Sequence, residues 1–331
     1  MTNTEQLFQV LDETSEIIQK HESLSYLEAL AESGENLFQQ AVLQPLDADS
    51  KKLLEDKYQM IDVEEMKAEE IRKALQLAVL KGMREATQPN HEMTPDAVAL
   101  FVGYLVSKLT GGKKAFSVLD PAAGAGNLLT AVLNGNDKGE ASYAVDADDL
   151  LLRLAYVSAN LQKHTIEFFH QDSMQPLLVD PVDVVVSDLP IGYYPNEETA
   201  SSYELKAESG RSFAHHLMIE QSLRHTKDGG FLLFLIPNGL FESDQADKLK
   251  KFVNEQAVIQ GVLQLPLSMF KKEQHAKSIF ILQKKGEGVK PPSQVLLADL
   301  PSFKNQSAMQ DIIQQIDAWF EQNRKAGLFN E

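Results

Sequence analysis

The segment FSVLDPAAGAGNLLTAVL at residues 116–133 joins a short apolar run, an aspartate, a turn of small residues and an apolar helix. A strand that enters a helix through such a turn is typical of the carboxyl edge of a parallel sheet, where ligands bind. Gly124 and Gly126 let the backbone approach a ligand closely. Leu129 stands where a dinucleotide fingerprint needs its third glycine, and Asp120 would repel a pyrophosphate. The segment therefore favours a cationic or zwitterionic ligand, such as a sulfonium compound with an α-amino group.

Outward from this segment, short apolar runs alternate with helical segments. Strands are predicted at 116–119, 142–145, 166–169, 182–186, 231–236, 258–265 and 279–283, and helices near 126–133, 148–162, 213–226 and 244–255. Such alternation predicts an α/β fold, namely a Rossmann-like, doubly wound, mostly parallel seven-stranded sheet. The last two strands have no long helix between them and are expected to pair antiparallel.

Three domains are predicted from the changes in pattern along the chain. Residues 1–88 form an acidic helical domain, since apolar residues recur there at helical spacing among acids. Residues 89–290 form the ligand-binding core, and residues 291–331 add a strand and a helix that pack on the core. The acidic face of the helical domain is either merely solvated or a surface on which a partner docks.

Composition excludes several classes of function. Cysteine is absent, which rules out disulfides, thiolate metal sites and methyl transfer to cytosine C5 through a covalent thiolate adduct. No apolar run reaches the roughly 18 residues of a membrane span, and the N-terminus lacks a secretory signal, so a cytoplasmic location is expected. The net charge of −17 opposes unaided binding to a phosphate backbone. Three explanations are open: either the basic side chains gather on one face, or a partner brings the nucleic acid, or the substrate is of another kind.

Carboxylates follow the second and third predicted strands. A carboxylate at the tip of strand two can accept both hydroxyls of a ribose. The alternative is that Asp146 and Asp148 only cap the next helix. Asp172, after strand three, is expected to accept the amino group of an adenine, again with capping as the alternative.

The turn Ser187-Asp188-Leu189-Pro190-Ile191-Gly192 follows the fourth strand and suits chemistry on an amine. Proline and glycine fix such a turn, so that a carboxylate and a backbone carbonyl point at one place. The lone pair of an exocyclic amine such as adenine N6 is delocalised into the ring. Two acceptors that hold its hydrogens turn this lone pair toward a methyl donor, and positioning is then most of the catalysis. The alternative is a plain strand-to-loop turn with an aspartate cap.

Together these segments resemble the adenine-N6 DNA methyltransferases, especially the modification subunits of type I restriction systems. Residues 120–129 look like that family's cofactor motif, and His91-Glu92-Met93-Thr94-Pro95 looks like its Thr-Pro segment. Residues 227–231, 236–239 and 276–279 resemble its later sheet motifs. The resemblance covers residues 88–325 and implies S-adenosylmethionine as the cofactor.

The resemblance also implies which residues form the site. The expected cofactor-binding residues are Met93, Thr94, Asp120, Pro121, Ala122, Gly124, Gly126, Asn127, Asp146, Ala147, Asp172, Ser173 and Asp188, and the expected catalytic residues are Asp188, Leu189, Pro190 and Tyr193. The family has Pro-Pro and an aromatic after its Asn, Asp or Ser, whereas this chain has Leu189-Pro190-Ile191. Tyr193 or Tyr194 supplies the missing aromatic, or both pack in a loop.

The sequence thus predicts an S-adenosylmethionine-dependent methyltransferase that acts on an exocyclic or amide nitrogen, with adenine N6 of nucleic acid as the first choice. Two alternatives stay open. One is a non-catalytic relative that binds the cofactor within a complex, and the other is an N-methyltransferase of proteins or small molecules. DNA or RNA is the expected partner, reached directly or through another protein.

Overall fold

The computed structural model describes residues 1–85, 93–111, 115–136 and 141–329. The predicted domain boundary between residues 88 and 89, and His91 and Glu92 of the Thr-Pro segment, lie outside these residues. The helices are α1 (Asn3–Glu22), α2 (Tyr26–Gln39), α3 (Ala48–Tyr58), α4 (Ala68–Glu85), α5 (Asp96–Leu109), α6 (Asn127–Asn134), α7 (Asp149–Leu161), α8 (Glu197–Ala200), α9 (Ala214–Arg224), α10 (Ala246–Gln256) and α11 (Gln306–Lys325). The strands are β1 (Ser117–Asp120), β2 (Ala141–Asp146), β3 (Glu167–His170), β4 (Val182–Asp188), β5 (Thr226–Pro237), β6 (Ala257–Gln264), β7 (Lys277–Lys284) and β8 (Leu296–Asp299).

All these strands belong to one sheet, in the order β3-β2-β1-β4-β5-β7-β6-β8. The predicted fold class is confirmed, because the sheet is mostly parallel and only β7 runs against its neighbours. Within the described residues the sheet has eight strands rather than seven. The additional one, β8, pairs in parallel with β6, where Gly261 lies opposite Leu296. A side chain at position 261 would come within 3.0 Å of the Leu296 carbonyl oxygen, so glycine allows this edge strand to approach.

The order of the strands predicts which edge of the sheet binds a ligand. From β1 the sheet continues to β2 and β3 on one side and to β4 and β5 on the other. In open α/β sheets, ligands bind outside the carboxyl ends of the strands at such a switch point. The antiparallel strand β7 brings its first residue to the same edge, because Lys277 pairs with Pro237 at the end of β5.

Apolar side chains cover both faces of the sheet. In β4, the side chains of Val184 and Val186 belong to the same buried cluster as residues of α5, α6 and α11, whereas Val185 belongs to the cluster on the opposite face, with residues of α9 and α10. Residues of a strand point alternately to the two faces, so a strand buried on both faces reads as a continuous apolar run. This burial explains why β4 was recognisable from sequence.

The N-terminal helices form a helical domain that packs on α7 through α2 and on α6 and α7 through α4. Their apolar side chains join those of α7 in one buried cluster. Gly34 of α2 allows this contact, since a side-chain carbon there would lie 2.3 Å from Val157 Cγ1 of α7. Among the described residues, no helix has both the length and the apolar character that crossing a bilayer requires.

Candidate active site

Three aspartates end neighbouring strands at the carboxyl edge. Asp120 ends β1, Asp146 ends β2 and Asp188 ends β4. Asp120 is 1% exposed, and its burial, with the charges of Asp146 and Asp188 adding to it, raises its pKa to about 7. The edge therefore concentrates negative charge, which favours a ligand with positive charge.

The small-residue turn after β1 is held by Asp146. Its carboxylate accepts hydrogen bonds from the N–H of Gly124 at 2.7 Å and from that of Asp148 at 2.9 Å. Gly124 has φ +52°, and a side chain there would meet no atom within 4 Å, so there is room beside the turn for a ligand. Gly126 has φ +77°, and a side-chain carbon there would lie 3.0 Å from Ala155 Cβ of α7.

Helix capping, the alternative considered for the aspartates after β2, applies to Asp148. Its side chain accepts a hydrogen bond from the N–H of Leu151 at 3.0 Å at the start of α7. Asp146 instead lies at the strand end and accepts from the turn. The carbonyl oxygen of Ala147, between the two aspartates, lies 3.1 Å from His170 Nε2 at the end of β3.

The loop after β3 is tied to both neighbouring loops. Asp172 accepts hydrogen bonds from the N–H of Met174 at 2.9 Å and from the Tyr194 hydroxyl. Burial and the Asp172 carboxylate raise the pKa of Tyr194 to about 12. The hydroxyl of Ser173 donates to the carbonyl of Pro121 in the turn after β1. The predicted adenine acceptor thus lies between the loops after β1 and β4.

Asp188 has partners from two distant parts of the chain. The Thr94 hydroxyl donates to Asp188 Oδ2 at 3.0 Å, and Lys277 Nζ donates to Asp188 Oδ1 at 2.6 Å. The lysine and aspartate side chains are only 13% and 15% exposed. The family resemblance predicts Thr94 at this site but assigns no role to Lys277, which lies in the segment 276–279 that resembles a sheet motif.

Asn127 links Thr94 to the helical domain. Its side-chain amide donates to the Thr94 carbonyl at 2.9 Å, while its Oδ1 accepts from Arg72 of α4 at 2.5 Å. Met93 is half-buried and packs with Ala125 against the cluster that joins the helical domain to α7. Arg72 was not recognised from the sequence, where it is one of several charged residues on an amphipathic helix.

The turn after β4 divides into a buried and an exposed part. The Leu189 side chain is 1% exposed and lies in the apolar core, whereas Pro190 is exposed. Tyr194 is buried, so packing describes it well. Tyr193 is 57% exposed, and one face of its ring stacks on Phe213, with centroids 4.9 Å apart and planes 12° apart.

The predicted site residues lie at strand ends, in loops and at the start of α6, and their contacts differ. The structure joins Asp120 to Ala122, Asp146 to Gly124, Ser173 to Pro121, Asn127 to Thr94 and Thr94 to Asp188. The side chains of Met93, Leu189 and Tyr193 instead contact the helical-domain cluster, the core and Phe213. Roles in cofactor binding and catalysis remain predictions for all of them.

Comparison with protein families gives two consecutive matches. Residues 5–83 match the model described as the YtxK N-terminal helical domain, and residues 85–329 match the model described as N-6 DNA Methylase. The chain is 51% identical over 321 residues to the uncharacterized protein YtxK of Bacillus subtilis (strain 168), covering 96% of this chain and 98% of that protein.

Solved structures that are similar to this chain include methyltransferases. A Listeria monocytogenes protein, described as a candidate class I S-adenosylmethionine-dependent methyltransferase, superposes with a TM-score of 0.89 at 48% identity, covering 96% of this chain and 99% of that chain. The methyltransferase subunit of a type I restriction-modification system from Streptococcus thermophilus has a TM-score of 0.67 at 16% identity, covering 94% of this chain and 74% of that chain. At that identity the likeness is one of fold.

Proposed function

The chain belongs to the N-6 DNA methylase family of class I S-adenosylmethionine-dependent methyltransferases, and on this premise we propose that it transfers a methyl group from S-adenosylmethionine to an exocyclic or amide nitrogen. Adenine N6 of nucleic acid is the acceptor proposed first. The observation that carries the proposal is the convergence of Asp120, Asp146 and Asp188 at one edge, close enough for two of them to raise the pKa of the third.

The cofactor suits this edge in charge and in shape. S-adenosylmethionine carries a positive sulfonium and a positive ammonium beside one carboxylate, so its net charge is positive and the three aspartates attract its cationic groups. The space beside Gly124 gives a path for the ligand along the turn. In this proposal Asp146 accepts the ribose hydroxyls, Asp172 accepts the adenine amino group, and Asp120 and Thr94 face the methionine end. Met93, Pro121, Ala122, Gly126, Asn127, Ala147 and Ser173 complete the walls.

The chain's own residues orient the acceptor. When bound, S-adenosylmethionine supplies an electrophilic methyl group on a charged sulfur. Asp188 would accept a hydrogen bond from one N–H of the acceptor amine and the Leu189 carbonyl one from the other, which turns the nitrogen lone pair toward the methyl group. The nitrogen would gain the methyl group as the methyl–sulfur bond breaks, and would release one proton to solvent. Thr94 and Lys277 hold the carboxylate of Asp188 in place, and Pro190 restricts the turn.

Tyr193 supports an aromatic acceptor. Phe213 packs behind one face of its ring, and 57% of the side chain is exposed. A base that stacks on such a ring gains about 1–3 kcal/mol. Tyr193 therefore replaces, in this proposal, the aromatic residue that the family carries two positions earlier in the chain.

Calorimetric titration with S-adenosylmethionine tests cofactor binding. We expect saturable heat from the wild type, and an affinity at least about tenfold lower for Asp146→Ala, which corresponds to about 1.4 kcal/mol. The absence of binding by the folded wild type would refute the proposed function.

Methyl transfer needs a separate test. Wild-type protein is incubated with methyl-labelled cofactor and with DNA, RNA or cell-extract protein. We expect label in one class of polymer, and loss of that label in Asp188→Ala. Labelling by Asp188→Ala at the wild-type rate would show that the role given to Asp188 is wrong.

A second candidate, a cofactor-binding relative without transferase activity, is favoured by the pair between Lys277 and Asp188. The ammonium of Lys277 contacts the Asp188 carboxylate that the acceptor amine has to reach. Because its nitrogen has no lone pair, this ammonium cannot itself accept a methyl group. This candidate requires that the wild type bind cofactor and label no polymer. If Lys277→Met then labels nucleic acid, the lysine blocks the acceptor position.

A further inference from the structure

A buried arginine of the helical domain reaches the turn that carries the cofactor motif. Arg72 of α4 is 1% exposed. Its guanidinium donates to both carboxylate oxygens of Glu69 at 2.7 Å, to Asp96, and to Asn127 Oδ1 at 2.5 Å. Burial of a charge is costly unless the charge is paired and hydrogen-bonded, and these four hydrogen bonds connect the cation to its three partners.

Two of these partners begin helices that border the site. Asp96 is the first residue of α5, directly after Thr94-Pro95, and Asn127 is the first residue of α6, directly after Gly126. Arg72 therefore fixes the ends of two of the segments whose residues are expected to contact the cofactor, the one before α5 and the turn before α6.

A chain of hydrogen bonds continues from Arg72 into the site. Asn127 donates to the Thr94 carbonyl at 2.9 Å, and the Thr94 hydroxyl donates to Asp188 Oδ2 at 3.0 Å. The position of Thr94, which contacts Asp188, thus depends through Asn127 on Arg72, a side chain of the helical domain.

We propose that Arg72 is a positioning residue of the cofactor site, through which the helical domain sets the geometry of the Thr94 loop and of the turn before α6. This inference rests on the proposed function. Arg72 contacts the first residue of α6 rather than the cofactor itself, so it acts by orienting other groups. The helical domain therefore contributes to cofactor binding through this side chain.

A second arginine pair provides a matched control. Arg153 of α7 contacts Glu32 of α2 at 2.8 Å, and so also joins the helical domain to the core, but the two side chains are 46% and 28% exposed. This pair has no contact with Asn127 or Asp96. Removal of either arginine takes one guanidinium out of the domain interface, and only Arg72 is tied to the cofactor loops.

Calorimetric affinity for S-adenosylmethionine and thermal melting are measured for wild type, Arg72→Met, Arg72→Lys and Arg153→Met, well below all melting temperatures. We expect Arg72→Met to weaken cofactor binding about tenfold or more, since small displacements of positioning groups have effects of this order. Arg153→Met should bind within about twofold of wild type. Arg72→Lys keeps the charge but lacks the planar fork, so it should also weaken binding, and it serves as the test if Arg72→Met melts too low.

A double-mutant cycle identifies the route. If Arg72 acts through Asn127, the loss of affinity in the double variant Arg72→Met with Asn127→Ala should be clearly smaller than the product of the two single losses. Wild-type affinity in Arg72→Met or Arg72→Lys, or simple additivity in the cycle, overturns the inference and leaves the proposed function intact. The absence of binding by wild type overturns the proposed function itself.

Discussion

At the scale of single residues, the pKa of Asp120 is set by its burial and by the neighbouring charges. Its pKa of about 7 means that near neutral pH a substantial fraction of molecules carry a protonated Asp120. A sulfonium and an ammonium nearby favour the carboxylate, so their binding lowers this pKa. Between this lowered pKa and about pH 7, cofactor binding then releases a proton, so affinity should increase as the pH rises toward 7 and level off above it.

Titration of S-adenosylmethionine near pH 6.5, in two buffers of different ionisation enthalpy, measures the released proton directly. We expect the observed enthalpies to differ for wild type and to agree for Asp120→Asn, which has no proton to release. Asp120→Asn should also bind more weakly at alkaline pH. Equal enthalpies for the wild type in both buffers would contradict the role of Asp120.

Residues at strand ends were predictable from sequence, and the family resemblance adds Thr94, whereas the distant residues Arg72 and Lys277 were not predictable. Asp120, Asp146 and Asp188 follow apolar runs, and a parallel sheet necessarily gathers the carboxyl ends of its strands. Arg72 and Lys277 contact residues 55 and 89 positions away, respectively. No local pattern records such contacts. Lys277 begins a strand, and it reaches the site only because β7 runs antiparallel.

At the scale of elements, two aspartates near the start of α7 have different expected roles, helix capping for Asp148 and ligand binding for Asp146. Asp148 caps this helix, so Asp148→Ala should lower the free energy of unfolding by about 1 kcal/mol and leave cofactor affinity nearly unchanged. For Asp146→Ala we expect the opposite contrast: cofactor affinity should fall strongly, and this loss should be larger than the loss in the free energy of unfolding. Denaturant unfolding and calorimetry on both variants test this contrast, and a large loss of affinity in Asp148→Ala would contradict it.

Packing of α2 on α7 gives a second prediction for the elements. Gly34→Ala raises the helix propensity of α2 by about 1 kcal/mol, yet we expect it to destabilise the protein, because the new carbon overlaps Val157 Cγ1. Val157→Ala removes that atom. The melting temperature of the double variant should therefore exceed that of Gly34→Ala alone, and a stabilised Gly34→Ala would refute this account of the interface.

Strand lengths were predicted less well where the sequence is polar. The run 231–236 was recognised as a strand, but β5 begins at Thr226 and includes Lys227 and Asp228. These residues carry no apolar signal. The Thr226 end of the strand pairs with Val182 across an irregularity in the β4 register, and this tertiary contact is absent from the local pattern.

At the scale of the whole molecule, the net charge of −17 limits contact with nucleic acid. Backbone attraction supplies most non-specific affinity for DNA, with dissociation constants of roughly 10⁻⁴ to 10⁻⁶ M for ordinary DNA-binding proteins. We expect the chain alone to bind a short labelled duplex more weakly than this at physiological salt, as measured by fluorescence anisotropy. A saturable submicromolar complex would contradict the prediction and would remove the need for a partner that brings the nucleic acid.

The edge strand β8 has a consequence for how this protein can be produced in pieces. A fragment that stops at residue 290 loses β8, so the backbone amides and carbonyls of β6 have no neighbour on that side. It also loses Phe320 and Ile316, which cover one face of the sheet. Exposed strand edges template pairing between molecules. Bacterial expression of residues 1–290 should therefore give insoluble protein, whereas residues 1–329 should stay in the supernatant after centrifugation.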